Sequence, residues 1–179
     1  MTPATFMTHP LPPSEQFEAW RGWYTSVLDV ISRQPAAEGF RGKTVTWMLD
    51  GFAFNRVSTP PVSTRRSKTM IRRDPVDHWC VSISRTKSSE FEVGNGWSMV
   101  PARVPYVFSL GEEMSSERSL DRIQLYLARD SFQTIAPLLD AARGKVLDTP
   151  EGHLLADYML MLERNIPDLP AEDGGKLAL

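Results

Sequence analysis

The spacing of hydrophobic residues changes twice along the chain, and the changes separate helical from extended regions. Between Ser14 and Pro35 apolar residues recur every three or four positions, which predicts an amphipathic helix capped by Ser14. From Lys43 apolar and polar residues alternate, as in strands with one buried face. Helical spacing returns after Asp130. The pattern predicts a mainly β domain with an N-terminal helix and C-terminal helices.

The central region contains short alternating runs separated by turn residues. Asp50-Gly51 predicts a two-residue hairpin of type I′, in which both turn residues have positive φ, and Gly94-Asn95-Gly96 marks a second hairpin. Seven or more short strands with such turns favour an antiparallel β-barrel or sandwich over a parallel sheet. The predicted strands are Lys43–Leu49, Phe52–Ser58, His78–Arg85, Glu90–Val93, Trp97–Val100, Tyr106–Leu110 and Arg122–Leu127.

The chain divides into three segments. Residues 1–13 form an N-terminal arm, because their four prolines disfavour regular structure. Residues 14–128 form the barrel domain with its leading helix, and the polar, basic residues 60–77 within it predict a solvated loop. Residues 129–179 predict a helical dimerisation segment and the start of a linker.

Charge and cysteine content limit the function classes. The formal net charge of −2 makes the chain alone a poor ligand for nucleic acid. The single cysteine, Cys80, excludes an internal disulfide and suits a reducing compartment. The sequence shows no signal peptide and no apolar run long enough for a membrane helix. We therefore expect a cytoplasmic protein that has no membrane partner.

Catalytic patterns are missing from the sequence. The three histidines, His9, His78 and His153, have no second metal-ligating residue at a suitable spacing. There is no Gly-x-Ser-x-Gly motif, no phosphate-binding glycine loop and no Cys/His pair of nucleophile and base. We expect no catalytic residue, no metal and no cofactor, and hence no enzyme.

The first hairpin carries the best candidate for a ligand site. Its register pairs Trp47 with Phe54 and Val45 with Arg56, so these side chains project from one face. An arginine beside aromatic rings suits an aromatic or carboxylate-bearing small molecule. The alternative is that the aromatic residues are ordinary core and that Arg56 reaches solvent.

Two further aromatic residues are expected to face this hairpin across the barrel. Trp79 shares the apolar side of its strand with Val81 and Ile83, which predicts that it points inward. Tyr106 alternates in the same way. The candidate ligand-binding residues are Trp47, Phe54, Arg56, Trp79 and Tyr106.

The C-terminal segment predicts two helices. Pro137 limits the first to a short piece, and Thr149 followed by Pro150 marks the start of the second. The apolar surface of the second helix is wider than one core contact needs, which predicts a homodimer interface. Its candidate residues are Leu154, Leu155, Tyr158, Met159, Met161 and Leu162. The alternative is that both sides of the helix pack on the barrel.

Several runs together resemble the effector-binding domain of AraC-type (arabinose-regulator-like) transcription regulators, in the variant with a helix before a cupin-like barrel. The runs are Phe17-Glu18-Ala19-Trp20, Gly39-Phe40-Arg41-Gly42, Arg56-Val57-Ser58 after the first hairpin, and Ile71-Arg72-Arg73-Asp74-Pro75-Val76-Asp77-His78-Trp79. The resemblance covers about residues 15–165.

This resemblance implies a jelly-roll-like barrel that binds an effector or mediates dimerisation, followed by helices that form a dimer interface. It also implies that DNA is bound only through a C-terminal helix-turn-helix domain, which this sequence lacks. Three functions follow: an effector-sensing and dimerisation domain, a ligand-free dimerisation module with a filled barrel, and a cupin-like enzyme. The scarcity of histidines counts against the enzyme.

Overall fold

The computed structural model describes residues 2–93 and 96–168, and these residues form nine strands and four α-helices. The strands are β1 (Ala4–Met7), β2 (Asp29–Ser32), β3 (Lys43–Leu49), β4 (Phe52–Arg66), β5 (His78–Ser84), β6 (Ser89–Val93), β7 (Gly96–Val100), β8 (Tyr106–Ser109) and β9 (Met114–Ala128). The helices are α1 (Pro13–Tyr24), α2 (Lys68–Arg73), α3 (Ala136–Ala142) and α4 (Pro150–Asn165).

All strand pairs are antiparallel, and the strands form a nearly closed barrel. The main hydrogen-bonded path runs β1-β3-β4-β9-β5-β8. The long strands β4 and β9 pair along most of their length, while β2 joins the second half of β4 and the β6–β7 hairpin joins the first part of β9. The predicted fold class, an antiparallel barrel with an N-terminal helix and C-terminal helices, is confirmed.

The β3–β4 hairpin has the predicted register. Trp47 lies opposite Phe54, and Val45 lies opposite Arg56. Of the two turn residues, Gly51 has a positive φ, of 77°, whereas Asp50 does not. The prediction of a type I′ turn is therefore wrong, although the turn lies where the sequence placed it. The second hairpin is confirmed by the β6–β7 pairing, and its residues 94–95 lie outside the described residues.

The solvated loop predicted for the basic cluster Arg65–Arg73, within residues 60–77, is wrong. Strand β4 continues to Arg66, and α2 follows it directly, with Ser67 accepting a hydrogen bond from the Met70 amide. The register with β9 shifts between Ser58 and Val62, where the chain passes two prolines. Such an irregularity lets a strand accommodate residues that cannot donate to the ladder.

The leading helix is shorter than predicted. It ends at Tyr24, and residues 29–32 form β2 instead of continuing the helix towards Pro35. Val30 and Ile31 are β-branched, which favours an extended backbone, and β2 gains a full set of partners from β4. The apolar residues at positions 27–31 therefore kept the spacing of a helix face although part of this stretch folds as a strand.

The N-terminal arm is also more ordered than predicted. Residues 4–7 form β1, which pairs with β3 along the edge of the sheet. Phe6 stacks on Trp23 at 4.6 Å between ring centroids, which fixes this strand against α1. Helix α1 begins at Pro13, so Ser14 is inside the helix and is not its cap.

Helix α4 packs against the sheet and begins where the sequence predicted. The Thr149 side chain accepts a hydrogen bond from the Gly152 amide, as an N-cap should. Gly152 lies so close to the Leu147 carbonyl that a Cβ at this position would overlap it. The close approach of the preceding loop to the helix therefore requires glycine.

Candidate functional site

Both faces of the sheet are buried, and this decides where a site can lie. Trp79, Val81 and Ile83 of β5 face the side covered by α4, which we call the outer face. Cys80 and Ser82 point to the opposite side, which we call the inner face. The prediction that Trp79 points into the barrel is therefore wrong. The apolar side of the strand packs under a helix, and the more polar side lines the interior.

The inner face carries a cluster of polar side chains from six elements. Strand β9 supplies Arg122, Gln124 and Tyr126, which lie directly opposite Ser84, Ser82 and Cys80 of β5. Most of these side chains are buried. We call the following set the inner cluster: Tyr24, Thr44, Asn55, Cys80, Ser82, Tyr106, Arg122, Gln124 and Tyr126.

Some members of the inner cluster satisfy one another. The Thr44 hydroxyl donates to the Asn55 amide oxygen at 3.0 Å. The Tyr126 hydroxyl donates to the Gln124 amide oxygen at 3.1 Å, and the Gln124 amide nitrogen lies 3.7 Å from the Cys80 sulfur. These bonds fix side chains of the β3–β4 hairpin and of strands β5 and β9 in position.

Three other members have a polar atom without a hydrogen bond of normal geometry, although Tyr24 lies beside Thr44 and Asn55, and Ser82 lies beside Tyr106. The Tyr24 hydroxyl, the Ser82 hydroxyl and the Arg122 Nε are buried and make no hydrogen bond of normal geometry with the described residues. Arg122 is only 7% exposed and takes part in none of the ion pairs among the described residues. A buried charge of this kind is costly unless it is paired. The inner cluster thus contains a mostly buried guanidinium that has no ion-pair partner among the described residues.

The charge of Arg122 reaches several groups around it. Burial raises the pKa of Tyr24, Tyr106 and Tyr126, and the positive charge of Arg122 opposes the rise in each case. Burial also raises the pKa of the Cys80 thiol, and the positive charge of Arg122 again opposes the rise. A thiol with a raised pKa stays protonated, so Cys80 is a packing residue and not a nucleophile.

Aromatic rings fill one end of the inner face. Phe91 lies 4.6 Å from Tyr106 and 5.3 Å from Phe108 between ring centroids. Tyr106 and Phe108 are 5.9 Å apart. This end of the barrel is packed by its own side chains.

A second candidate site is a groove on the outer side, between the N-terminal strand and the end of α4. Its volume is about 530 Å³. It contains Arg41, Lys43 and Arg56 but no carboxylate among its lining residues. Trp47 forms part of its wall, and the Trp47 indole nitrogen is buried without a hydrogen-bond partner.

Arg56 also contacts the C-terminal helix. Its Nε lies 3.1 Å from Oε1 of Glu163 on α4, and the Arg85 guanidinium lies 3.1 Å from the same oxygen. Arg85 in turn contacts Asp121 at 3.4 Å. The Glu163 side chain is only 5% exposed, so one buried carboxylate joins α4 to two positions on the barrel.

The five predicted ligand-binding residues therefore do not form one site. Trp47 and Arg56 line the groove, whereas Tyr106 belongs to the inner cluster on the opposite face. Phe54 and Trp79 have no exposed surface. The indole N–H of Trp79 donates to Asp140 of α3 at 2.9 Å, so this side chain is used in the packing of α3.

The predicted dimer residues divide between core and surface. Met159 and Leu162 are buried against the outer face, and Leu155 packs beside them. The wide apolar surface of the helix is thus explained partly by core packing. A stripe of exposed apolar side chains remains on the other side of α4, and we call it the α4 stripe: Leu154, Tyr158 and Met161.

Sequence reasoning missed Arg122, Tyr24 and Glu163. Arg122 and Gln124 were visible as polar residues alternating with the apolar residues of a strand, a pattern that usually indicates a solvent-exposed face. The signal that could have indicated the site is a charged residue in the middle of the long β4–β9 pairing. This pairing joins residues distant in sequence, so the sequence alone does not reveal it.

The histidines are scattered. His9 lines the groove, His78 begins β5, and His153 contacts Asp148 at 2.9 Å on the surface. Among residues 2–93 and 96–168 no group of three or more histidine, cysteine, aspartate or glutamate side chains is arranged to hold a metal ion.

These features define a cupin-like antiparallel barrel with a polar interior and helices packed on its outer face. The chain is similar to the AraC-like transcriptional activator CuxR, with a TM-score of 0.86 and 27% sequence identity over 96% of this chain. The similarity confirms the resemblance to AraC-type regulators. No family model and no curated protein matches the chain.

The chain spans 64% of the length of the CuxR structure. None of the helices in the described part of the chain is both long enough and apolar enough to cross a membrane.

Proposed function

We propose that this chain is the effector-sensing regulatory domain of an AraC-type transcription regulator, and that its effector is a small carboxylate-bearing molecule bound at the inner cluster. The similarity to a transcriptional activator supports the regulatory class. The buried guanidinium of Arg122, without an ion-pair partner among the described residues, supports the ligand class and is the observation on which the proposal depends.

The chemistry of the inner cluster suits a carboxylate better than a neutral polar ligand. A guanidinium forms short, charge-assisted hydrogen bonds with a carboxylate, often two in parallel. The hydroxyls of Tyr24 and Ser82 can donate to the same or a neighbouring oxygen. The surrounding tyrosine rings offer an apolar wall for the body of the ligand.

Thermal unfolding tests this ligand class. We expect some member of a panel of small aromatic and aliphatic carboxylates to raise the melting temperature, while its neutral amide does not. Saturation at 100 times Kd adds about 2.7 kcal/mol to stability, or roughly 5–10 °C for a domain of this size. If acids and amides give equal shifts, a neutral part of the ligand is recognised and the proposed role of Arg122 is wrong.

The ligand-free alternative has one specific observation in its favour. Phe91, Tyr106 and Phe108 pack on one another and fill one end of the barrel. A barrel that is filled throughout would show no saturable response to any carboxylate in the panel. That result would leave dimerisation as the function of this domain.

We also propose that the domain forms a homodimer through the α4 stripe. Leu154 is 72% exposed, and Tyr158 and Met161 follow at positions that share a helix face. A row of large apolar side chains on one face of a helix is typical of an interaction surface. In a twofold dimer the same surface of each copy contacts its counterpart, so the α4 stripe of one chain can pack on the α4 stripe of the other.

Sedimentation velocity tests the dimer. We expect Leu154→Glu combined with Tyr158→Glu to weaken association by roughly 30-fold or more per substitution, since buried interface anchors contribute about 2 kcal/mol or more each. Met48→Glu is the matched control, because Met48 is 69% exposed but lies on β3, away from α4. A dimer that persists in the double variant, or is lost equally in the control, would contradict the assignment.

DNA recognition is proposed to reside in a helix-turn-helix domain of the full regulator and not in residues 1–179. The net charge of −2 supports this division, since phosphate binding requires a basic surface. The proposed organisation is an N-terminal arm (1–13), a barrel domain (14–128) and a helical dimerisation segment (129–179).

A further inference from the structure

We propose that the groove beside β1 is a second site, which binds a small anion of the carboxylate or phosphate class and thereby weakens the attachment of α4 to the barrel. The groove lies on the outer face, apart from the inner cluster, and shares Arg56 with the contact to Glu163.

The lining of the groove is suited to an anion. Arg41, Lys43 and Arg56 come from one short stretch and its hairpin partner, and all three side chains are exposed to the groove. His9 adds a further nitrogen at the N-terminal side. No carboxylate lines the groove: Arg56 is paired with Glu163 behind it, whereas Arg41 and Lys43 form none of the ion pairs seen among the described residues. The cavity of about 530 Å³ has room for a small organic anion.

The groove has a second feature that points to a ligand. The indole nitrogen of Trp47 is buried and lacks a hydrogen-bond partner, and Trp47 forms part of the wall. Only 5% of this residue is exposed, so solvent does not readily satisfy the N–H. Indole N–H groups in buried positions usually find an acceptor, and this one has none among the described residues.

Arg56 connects the groove to α4. Nearly half of its side chain is exposed, and its Nε contacts the buried carboxylate of Glu163. A guanidinium has five N–H donors, but its charge is shared among all its partners. An anion bound to Arg56 therefore competes electrostatically with Glu163. Arg85 remains as the second partner of Glu163, so α4 is loosened and not released.

Competition of this kind is reciprocal. If the anion weakens the contact between Glu163 and Arg56, that contact must weaken anion binding by the same factor, so removing the charge of Glu163 should strengthen anion binding. A merely basic surface that attracts anions without this contact does not show such a link to α4. The two directions of the coupling can be measured separately.

Calorimetric titration with inorganic phosphate, at ionic strength held constant with chloride, tests the site. We expect saturable binding at millimolar concentration in the wild type, at least about fivefold tighter binding in Glu163→Gln, and clearly weaker binding in Lys43→Gln. Lys87→Gln is the matched control, because Lys87 is exposed outside the groove. Absence of saturable binding, or equal losses in Lys43→Gln and Lys87→Gln, would overturn the site.

Amide hydrogen exchange of the wild type tests the coupling without a variant that could fold poorly. Saturating phosphate should increase exchange in residues 150–166 relative to the chloride control, because the attachment at Glu163 is weakened. Unchanged exchange there would refute the link to α4. The Arg122→Met variant should bind phosphate in the groove like the wild type, so failure of the inner site and failure of the groove are distinguishable.

Discussion

Replacing Arg66 by methionine is expected to destabilise the domain by about 3–5 kcal/mol, the range for breaking a buried charged hydrogen-bond network. Arg66 has no exposed surface, although it stands in a run of basic residues. Its three guanidinium nitrogens each donate at 2.6 Å to a backbone carbonyl, at Val27, Asp74 and Leu110. Methionine fills much of the volume but leaves those three carbonyls without their donor.

The neighbouring residue supplies the control for this prediction. Arg65 is adjacent on β4 but is exposed, so Arg65→Met should change stability by less than about 0.5 kcal/mol. Urea unfolding of both variants measures the difference. Similar midpoints for the two variants would show that the carbonyl contacts of Arg66 contribute little.

Replacing Arg122 by methionine is expected to have the opposite sign. In the absence of ligand the variant should be more stable than the wild type by about 1–3 kcal/mol, because a buried charge without a partner is replaced by an apolar side chain. It should also lose the stabilisation by carboxylates. A gain in stability together with a loss of binding is typical of residues kept for function.

The matched substitution for Arg122 is Arg85→Met. Arg85 is partly buried but contacts both Asp121 and Glu163, so its loss leaves carboxylates without a partner and should lower stability. The changes in stability of Arg122→Met and Arg85→Met should have opposite signs, and denaturation midpoints measure both directly. If Arg122→Met is destabilised as much as Arg85→Met, Arg122 is satisfied within the fold and is not available to a ligand.

Local signals in the sequence were sufficient for several elements. Asp50-Gly51 between alternating runs predicted the register of β3 and β4 residue by residue. Thr149 and Pro150 predicted the start of α4. These signals act over a few residues, through turn geometry and capping hydrogen bonds, so a single sequence contains them.

The candidate site could not be predicted in the same way. Alternation in β5 separates Trp79 from Cys80, but it does not say which face a distant helix covers. Because α4 covers the apolar face, the polar residues that looked exposed became the interior. Arg66 was hidden for a similar reason, since its acceptors lie 8 to 44 residues away in sequence.

Calorimetric titration of wild type and Arg122→Met with the carboxylate that stabilises the wild type most is the most direct test of the proposed effector site. We expect one tight site per chain in the wild type, retained in Lys43→Gln, and loss of that site in a folded Arg122→Met, which should keep only the weak, millimolar binding proposed for the groove. Equal affinity of the wild type and Arg122→Met for that carboxylate would contradict an effector site at the inner cluster.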